Sequence, residues 1–330
     1  MQLINRTEIL FCYDIKDNNP NGDPLDGNKP RIDEATDTNI VTDVRLKRTV
    51  RDYLRDFKGQ EILIERIEHD DGTIQTGIER AMNFVSPQEQ TSTEERGKKK
   101  GVRATEDMVR KNVLARCIDA RLFGCTLPLE KGSVILTGPV QFRMGRSLNK
   151  VELTHIKGSG AFAAGADASR ETFREEYILP YSFLTFYGLA NENAAKDTGL
   201  TTEDLALLYE GLWNGTKNLI SRSKIGQTPR LLLAVTYKEH NYHIGDLDKA
   251  LALRPGTDLK EEQVRDVSDF TLDIGELLDL LRQKADKILN VAVKADPRLH
   301  FSANGNDLGN DISAALCNLG LTIIAPFKEF

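Results

Sequence analysis

The sequence predicts an α+β fold, and three observations indicate it. Residues 7–15 are apolar on nearly both faces of an extended chain, which is typical of a central β-strand. Residues 42–57 and 202–220 each carry an apolar stripe at helical spacing. Around these segments, strand and helix patterns alternate without the regularity of βαβ units and without an internal repeat.

The composition indicates a globular protein with a sizeable core. The 330 residues exceed the ~100–200 typical of one domain, so the length fits one elaborated domain or two. No apolar run approaches the ~18 residues of a membrane span. The first residues lack the pattern of a signal peptide, and the four cysteines show no CxxC spacing. We therefore expect a cytoplasmic protein with reduced cysteines and without a membrane partner.

The distribution of charged residues along the sequence indicates more about possible binding partners than the net charge does. The net charge of −6 argues against a simple nucleic-acid binder, but four windows contain no acidic residue: 44–51, 96–105, 131–151 and 211–238. They hold 18 of the 44 lysines and arginines on an otherwise acidic chain. If these segments converge in space, they form a phosphate-binding surface. The alternative is four separate solvated surfaces.

Residues 18–55 predict a loop and a helix built to hold an anion. The loop 18–24 is rich in Asn, Pro, Gly and Asp, which favour turns. Thr42 is predicted to cap the following helix, and Asp43 suits its first turn. One helical face is apolar, and the other carries Lys47, Arg48, Arg51 and Arg55. Cations in the first turns oppose the helix dipole by roughly 0.3–1 kcal/mol each, and a bound phosphate would reverse that penalty.

The rest of the chain continues the α+β pattern. Thr105 is predicted to cap a second helix, and residues 254–273 are expected to form a polar loop. Residues 86–104 form a basic segment expected to be flexible, and residues 145–174 a protruding flexible insertion rich in small residues. Further strands are predicted at 133–144, 177–184, 230–237, 287–293 and 319–325, and a further helix at 275–284.

No established catalytic or metal-binding motif occurs in the sequence. His240 and His243 lack a third ligand at zinc spacing, which favours a surface loop. Residues 221–224 alternate two serines with two cations, a pattern that suits phosphate oxygens or a basic helix C-terminus. Aspartates crowd the first loop and could bind Mg²⁺ or act as a general base, although turn formation explains them equally well: Asp14, Asp17, Asp23, Asp26 and Asp33.

Residues 19–24, 30–33 and 41–53 together resemble the backbone subunit of type I CRISPR effector complexes. These complexes are known as Cascade, and the subunit belongs to the RAMP superfamily. The resemblance is greatest to the type I-B branch and extends over nearly the whole chain. Supporting stretches lie at residues 136–142, 221–224, 229–233 and 243–247.

The resemblance implies a modified ferredoxin-like (RRM-like) palm with inserted thumb and finger elements. Within a single elaborated domain, 1–330, residues 1–144 and 175–330 would form the palm, with 86–104 in a finger and 145–174 as a thumb. Several copies would bind one crRNA as a helical filament together with other Cascade subunits, and the guide would pair with target DNA. The resemblance implies no cofactor, no metal and no catalytic activity.

The resemblance also implies where RNA is held. Phosphates would bind to the first helix, to the segment after the third helix and to the base of the thumb. Within the thumb, Leu148 and Phe162 are the candidates for displacing a guide base. The candidate RNA-binding residues are Asn21, Gly22, Arg45, Lys47, Arg48, Arg51, Arg143, Arg146, Lys157, Ser221, Arg222, Ser223 and Lys224.

Two alternative functions stay open from the sequence. In the related type III backbone, an acidic residue after the first strand cuts target RNA, which makes Asp23 or Asp33 the candidate residue of a metal-dependent RNA endonuclease. The other alternative is a scaffold that binds no nucleic acid and uses its basic segments to contact further subunits.

Overall fold

The computed structural model describes residues 2–85, 94–95, 98–99, 106–163 and 171–328. The predicted cap Thr105 and nearly all of the predicted flexible segment 86–104 lie outside these residues. Helices and strands both contribute extensively to the structure, which confirms the predicted α+β class. None of the helices in this part of the chain is long and apolar enough to cross a membrane.

The strands of the described residues are β1 (Thr7–Asn18), β2 (Gly22–Asp23), β3 (Lys29–Asp33), β4 (Thr38–Val41), β5 (Glu94–Glu95), β6 (Lys98–Lys99), β7 (Gly124–Pro128), β8 (Ser133–Thr137), β9 (Val140–Phe142), β10 (Gly145–Lys150), β11 (Thr154–Ala163), β12 (Glu171–Ala190), β13 (Thr228–Tyr237), β14 (Ala252–Pro255), β15 (Phe270–Asp273), β16 (Ile288–Ala295), β17 (Phe301–Ala303), β18 (Asn306–Gly309) and β19 (Ile323–Ile324). The α-helices are α1 (Asp43–Lys58), α2 (Gly77–Met82), α3 (Glu106–Arg116), α4 (Ile118–Phe123), α5 (Glu192–Thr198), α6 (Thr202–Lys217), α7 (Gly275–Gln283) and α8 (Ile312–Cys317).

One large sheet organises the molecule. Its strands run in the order β19-β16-β13-β1-β12-β10-β4-β3-β2, and β9 and β11 also pair with β12. β1 is antiparallel to both of its neighbours, with Phe11 opposite Phe186 in β12 and opposite Leu232 in β13. This confirms the predicted central strand at 7–15, because a strand covered on both faces needs apolar residues at nearly every position.

Two buried clusters lie on the two faces of this sheet. In β1, Ile9, Phe11 and Tyr13 belong to the cluster that contains the apolar residues of α1 and α6. Leu10 and Cys12 belong to the cluster on the opposite face. This alternation follows from the two-residue period of a strand, and it leaves neither face of β1 open to solvent.

α1 and α6 confirm the helices predicted at 42–57 and 202–220. Thr42 caps α1 by accepting a hydrogen bond from the Arg45 amide, as predicted. The two helices pack closely because α6 presents glycines to α1. A Cβ on Gly211 or on Gly215 would lie 3.0 Å from an α1 side chain, so a larger residue at either position would require α1 to shift by a few tenths of an ångström.

A second layer covers the other face of the large sheet. It consists of the four-stranded sheet β14-β15-β17-β18 together with α7 and α8. Phe270 and Phe301 of this layer share a cluster with Leu10 and Cys12 of β1. The expectation of a polar loop at 254–273 is therefore wrong at its ends, which lie in β14 and β15. Each of these strands has only four residues, too few for a clear alternating pattern.

A third, smaller cluster lies beside α1. It joins α2, α3 and α4 to the hairpin of β7 and β8, around Phe84, Val109 and Val113. Cys117 is buried here and Cys12 is buried in β1, and all four cysteines are free, as predicted.

Residues 145–174 divide between the large sheet and a hairpin. β10 pairs with β4 and with β12 inside the sheet, so the part that extends beyond the sheet begins after Lys150. There β11 pairs in antiparallel fashion with the first residues of β12, from Glu171 to Ile178. The division of the chain into palm, finger and thumb stays a prediction.

Candidate nucleic-acid interface

Four segments meet at the end of the large sheet where β1 finishes. The strand register brings the β11–β12 hairpin and the loop between α6 and β13 to this end, because Asn18 lies opposite Leu179 and Asp14 opposite Thr228. The loop after β1 and the start of α1 lie at the same end, joined to each other by hydrogen bonds. The sheet thus places two of the predicted basic segments, 44–51 and 211–238, around one strand terminus together with the β11–β12 hairpin.

The loop after β1 forms a framework for the start of α1. Oδ1 of Asn21 accepts hydrogen bonds from N and from Oγ1 of Thr42, each 2.9 Å long. Nη1 of Arg31 donates to the carbonyl oxygens of Asn21, at 3.1 Å, and of Gly22, at 2.7 Å. A side chain at position 22 would collide with Asn28, since a Cβ there would lie 2.1 Å from its Oδ1. Asn21 and Gly22 therefore position the helix cap.

The loop between α6 and β13 is fastened to the end of β1 by three hydrogen bonds. The Asn19 amide donates to the Ser223 carbonyl at 3.1 Å, and Nδ2 of Asn18 donates to the Ile225 carbonyl at 2.7 Å. Nζ of Lys224 donates to the Asn19 carbonyl at 3.3 Å. These contacts bring Lys224 to the start of α1, although the two lie far apart in sequence.

Arg45 and Lys224 form the cationic centre of this interface. Both are half-buried. Arg45 donates to the hydroxyl of Thr49, and Lys224 to Asn19 and to the hydroxyl of Ser223; neither forms an ion pair with a described carboxylate. Burial lowers the pKa of both groups, and the charge of Arg45 lowers the pKa of Lys224 further. Two neighbouring cations that form no ion pair with a described carboxylate are a site that a bound anion stabilises.

Lys47 and Arg51 are buried instead of facing solvent. Nζ of Lys47 donates to Oε1 of Gln141 at 2.9 Å, and Nε of Arg51 donates to Oδ2 of Asp119 at 2.9 Å. Their exposed fractions are 9% and 8%. These two cations of the predicted anion-binding face therefore contact β9 and α4 of the protein itself, through Gln141 and Asp119.

Four further candidates pair with carboxylates nearer the solvent. Exposed ion pairs contribute only about 0–1 kcal/mol, so exchanging such a carboxylate for a phosphate costs little. Lys157 and Arg222 lie at the base of the hairpin, next to the cationic centre. The pairs are Arg48–Asp52 at 2.5 Å, Arg146–Asp33 at 2.7 Å, Lys157–Glu175 at 3.6 Å and Arg222–Glu176 at 3.0 Å.

Arg143 lies away from this interface. Its guanidinium stacks on the ring of Tyr187, 4.5 Å from the centroid, and pairs with Asp246 at 2.6 Å. Tyr187 is nine residues along β12 from Ile178 at the hairpin base, roughly 30 Å at ~3.3 Å per residue. The structure therefore does not bring Arg143 together with Arg45.

The two candidate base-displacing residues are placed differently. Leu148 lies in β10 and packs against the buried cluster beneath the second sheet, so it is held in the body of the protein. The side chain of Phe162 lies outside the part of the chain whose side chains are described.

The candidate catalytic aspartates take part in a turn and in ion pairs. Asp23 accepts a hydrogen bond from the Leu25 amide at 3.0 Å and lies 3.5 Å from Arg31. Asp33 accepts from Arg146 at 2.7 Å, and this hydrogen bond lowers the pKa of Asp33. A lowered pKa makes a carboxylate a poorer general base. Within the described ranges, no group of three or more His, Cys, Asp or Glu side chains is arranged to hold a metal ion.

Comparison with known proteins decides the family. The family model described as CRISPR-associated protein Cas7 matches residues 5–275 of this chain. The chain belongs to the Cas7 family. A CRISPR-associated protein Cas7 from Haloferax volcanii is 34% identical over 339 aligned residues, which cover 94% of this chain and 91% of that relative. The resemblance predicted from residues 19–53 is thereby confirmed at the level of the family.

Two chains in solved structures have a fold similar to that of this chain. A chain described as belonging to a CRISPR RNA-guided surveillance complex, pre-nicking, matches with a TM-score of 0.55 and 11% identity, covering 96% of this chain and 99% of that one. A chain of another CRISPR RNA-guided surveillance complex matches with a TM-score of 0.50 and 13% identity, covering 96% and 98%. At such low identity the likeness concerns the fold alone.

Two framework residues of this Cas7-family chain were missed by sequence reasoning. One is Arg31, which holds the loop after β1. The other is Glu8, fully buried in β1, which accepts hydrogen bonds from the amides of Ile244 and Gly245, each 2.8 Å long. The stretch 243–247, which contributed to the family resemblance, thus donates two backbone hydrogen bonds to a buried carboxylate. An acidic residue directly before the apolar run 9–13 of the central strand was the available signal.

Proposed function

We propose that this chain binds crRNA along its phosphate backbone as the repeated backbone subunit of a CRISPR interference complex. One observation carries the proposal: Arg45 and Lys224, half-buried at the N-terminus of α1, form no ion pair with any described carboxylate. The dipole of α1 adds to their positive potential, and phosphate oxygens suit both cations. Membership of the Cas7 family supports a guide RNA as the source of that phosphate.

The covered sheet supports binding of the RNA backbone instead of base reading on a sheet face. RRM domains stack RNA bases on exposed aromatic residues of their sheet. Here one face of the large sheet packs on α1 and α6, and the other packs on the second sheet. Contact at the strand ends leaves the guide bases free to pair with target DNA.

The strand order supports a ferredoxin-like palm. In chain order, β1, α1, β9, β12, α6 and β13 form a βαββαβ unit. Its strands lie side by side as β13-β1-β12-β9, each antiparallel to its neighbour, with both helices on one face. In this proposal residues 1–144 and 175–330 form the palm and the hairpin within 145–174 forms the thumb. The motif at 19–24 supports the type I-B branch.

The charge distribution supports several copies on one RNA. The chain has a net charge of −6, and candidate RNA-binding cations such as Arg146 and Arg222 are already paired with carboxylates. One copy therefore offers few phosphate contacts, and linking several copies through one strand multiplies their weak individual affinities. We propose that further copies and other Cascade subunits complete the complex.

Binding of labelled single-stranded RNA tests the proposal. Arg45→Gln and Lys224→Gln should each weaken binding about tenfold or more, since a hydrogen bond to a charged group contributes about 1.5–3 kcal/mol. The loss should be similar for RNAs of different sequence, because phosphates carry no sequence information. Lys196→Gln makes the same charge change on the exposed face of α5, at the other end of β12, and should bind like the wild type. Wild-type affinity in both Arg45→Gln and Lys224→Gln would contradict the proposal.

We also propose that the subunit does not cut RNA and that Asp23 and Asp33 serve turns and ion pairs. Incubation of labelled RNA with the purified protein and Mg²⁺ or Mn²⁺ should leave the RNA intact. Asp23→Ala and Asp33→Ala should give the same result. Cleavage by the wild-type protein that either substitution abolishes would instead establish the metal-dependent endonuclease.

A further inference from the structure

The base of the β11–β12 hairpin carries a pair of stacked rings. His155 and Tyr177 lie directly opposite each other in the antiparallel pairing, with ring centroids 4.5 Å apart and an interplanar angle of 10°. His155 is exposed and Tyr177 is half-buried, and Nζ of Lys29 lies 5.5 Å from the Tyr177 centroid. We propose that this ring pair is a stacking platform for one nucleobase of the bound single strand. The inference rests on the proposed function.

The platform lies close to the cationic centre. Tyr177 precedes Leu179 by two residues in β12. Because Leu179 lies opposite Asn18, Tyr177 lies about 7 Å along the strand from the end of β1. Asn18 holds the loop that carries Lys224. A strand whose phosphate is bound at Lys224 therefore passes the two rings within a few nucleotides.

The described cations beside the rings, Lys29 and Lys157, already have carboxylate partners, so the rings can bind an uncharged planar group. Glu175 lies on the same face of the hairpin, 3.7 Å from Nε2 of His155 and 3.6 Å from Nζ of Lys157. This carboxylate offsets the local positive charge, in contrast to the centre at Arg45 and Lys224. A nucleobase fits these conditions because its π-face stacks on an aromatic ring without requiring a net charge.

The chain offers a matched control at a second stacked pair. Phe57 is 60% exposed and stacks on Tyr53 with centroids 5.1 Å apart and an interplanar angle of 17°. It lies twelve residues after Arg45 on α1, roughly 18 Å along the helix axis. The two ring pairs are thus alike in geometry and differ in their distance from the cationic centre.

Equilibrium binding of oligoadenylate, and of an abasic ribose-phosphate strand of equal length, tests the platform. Tyr177→Leu should weaken oligoadenylate binding roughly 5- to 100-fold, the range for loss of one base–aromatic stack. Its salt dependence should stay that of the wild type, because no phosphate contact is lost. Tyr177→Phe, His155→Phe and Phe57→Leu should bind oligoadenylate like the wild type. All of these variants should bind the abasic strand equally.

Each contrary outcome has a separate meaning. Wild-type binding of oligoadenylate by Tyr177→Leu, or an equal loss on the abasic strand, would overturn the platform and leave the phosphate site intact. Loss of affinity in Tyr177→Phe, which keeps the ring, would also overturn it. A wild-type protein that bound neither strand would overturn the proposed function and the platform with it.

Discussion

At the scale of single residues, the partner of each cation decides its role. Arg45 and Arg51 both lie on α1, but Arg45 belongs to the cationic centre whereas Arg51 is buried against Asp119. Asp119 is itself fully buried and also accepts hydrogen bonds from the amides of Leu63 and Ile64. We therefore propose that Arg51 holds α1 and α4 together and does not contact RNA.

Arg51→Ala should accordingly reduce stability and spare RNA binding. Leaving Asp119 buried without its cation should lower the free energy of unfolding by about 3–5 kcal/mol, measured by urea denaturation. RNA affinity, measured below the unfolding transition, should stay close to that of the wild type. Arg45→Gln should show the reverse pattern. An Arg51→Ala protein of full stability that no longer binds RNA would return Arg51 to the RNA-binding set.

The residue types of the interface were predictable from the sequence, but their partners were not. Turn residues before a capped helix, followed by basic residues, correctly located the start of α1. The pairing of Arg51 with Asp119 joins positions 68 apart in the chain, and that of Lys47 with Gln141 joins positions 94 apart. No local period encodes such pairs, so buried and available cations look alike in the sequence.

At the scale of elements, Glu8 ties β1 to the loop after β13. Its carboxylate accepts hydrogen bonds from the amides of Ile244 and Gly245 and from the hydroxyls of Tyr187, at 2.5 Å, and Tyr237. A buried carboxylate is tolerated only when its oxygens are satisfied in this way. The same loop continues to Asp246, which pairs with Arg143, so Glu8 indirectly fixes the far end of the sheet.

Glu8→Gln should therefore destabilise the protein. The amide nitrogen of glutamine would face N–H or O–H donors, and at least one buried donor would lose its acceptor at a cost of about 1–3 kcal/mol. Tyr237→Phe removes a single donor and leaves the carboxylate with three, so it should cost less. The urea denaturation midpoints of Glu8→Gln and Tyr237→Phe compare the two losses of stability. A Glu8→Gln protein as stable as the wild type would contradict the stabilising role of the four hydrogen bonds to the Glu8 carboxylate.

The long elements were predictable because their periods repeat several times. α1 and α6 have sixteen residues each, and β1 has twelve, enough for an apolar pattern to stand out. β14 and β15 have four residues each, and their burial depends on packing against residues far away in the chain. Short strands of this kind were therefore missed within a segment that is polar on average.

At the scale of the whole molecule, buried clusters cover both faces of the large sheet around β1, and we propose that RNA binds at its strand ends. The α+β class and the central position of β1 were predictable from an apolar strand between amphipathic helices. The second layer over Leu10 and Cys12 was not, because it is assembled from elements more than 200 residues later. We propose that this layer excludes RNA from the sheet face and leaves the cationic centre as the place of contact.

The salt dependence of RNA binding tests the central claim, that Arg45 and Lys224 hold an RNA phosphate, most directly. On a single strand, the slope of log affinity against log salt is about −0.7 for each phosphate neutralised. The double variant Arg45→Gln, Lys224→Gln should make the slope less negative by about 0.7 for each bound copy, whereas Lys196→Gln should keep the wild-type slope. A double variant that binds RNA with the wild-type slope would contradict the claim.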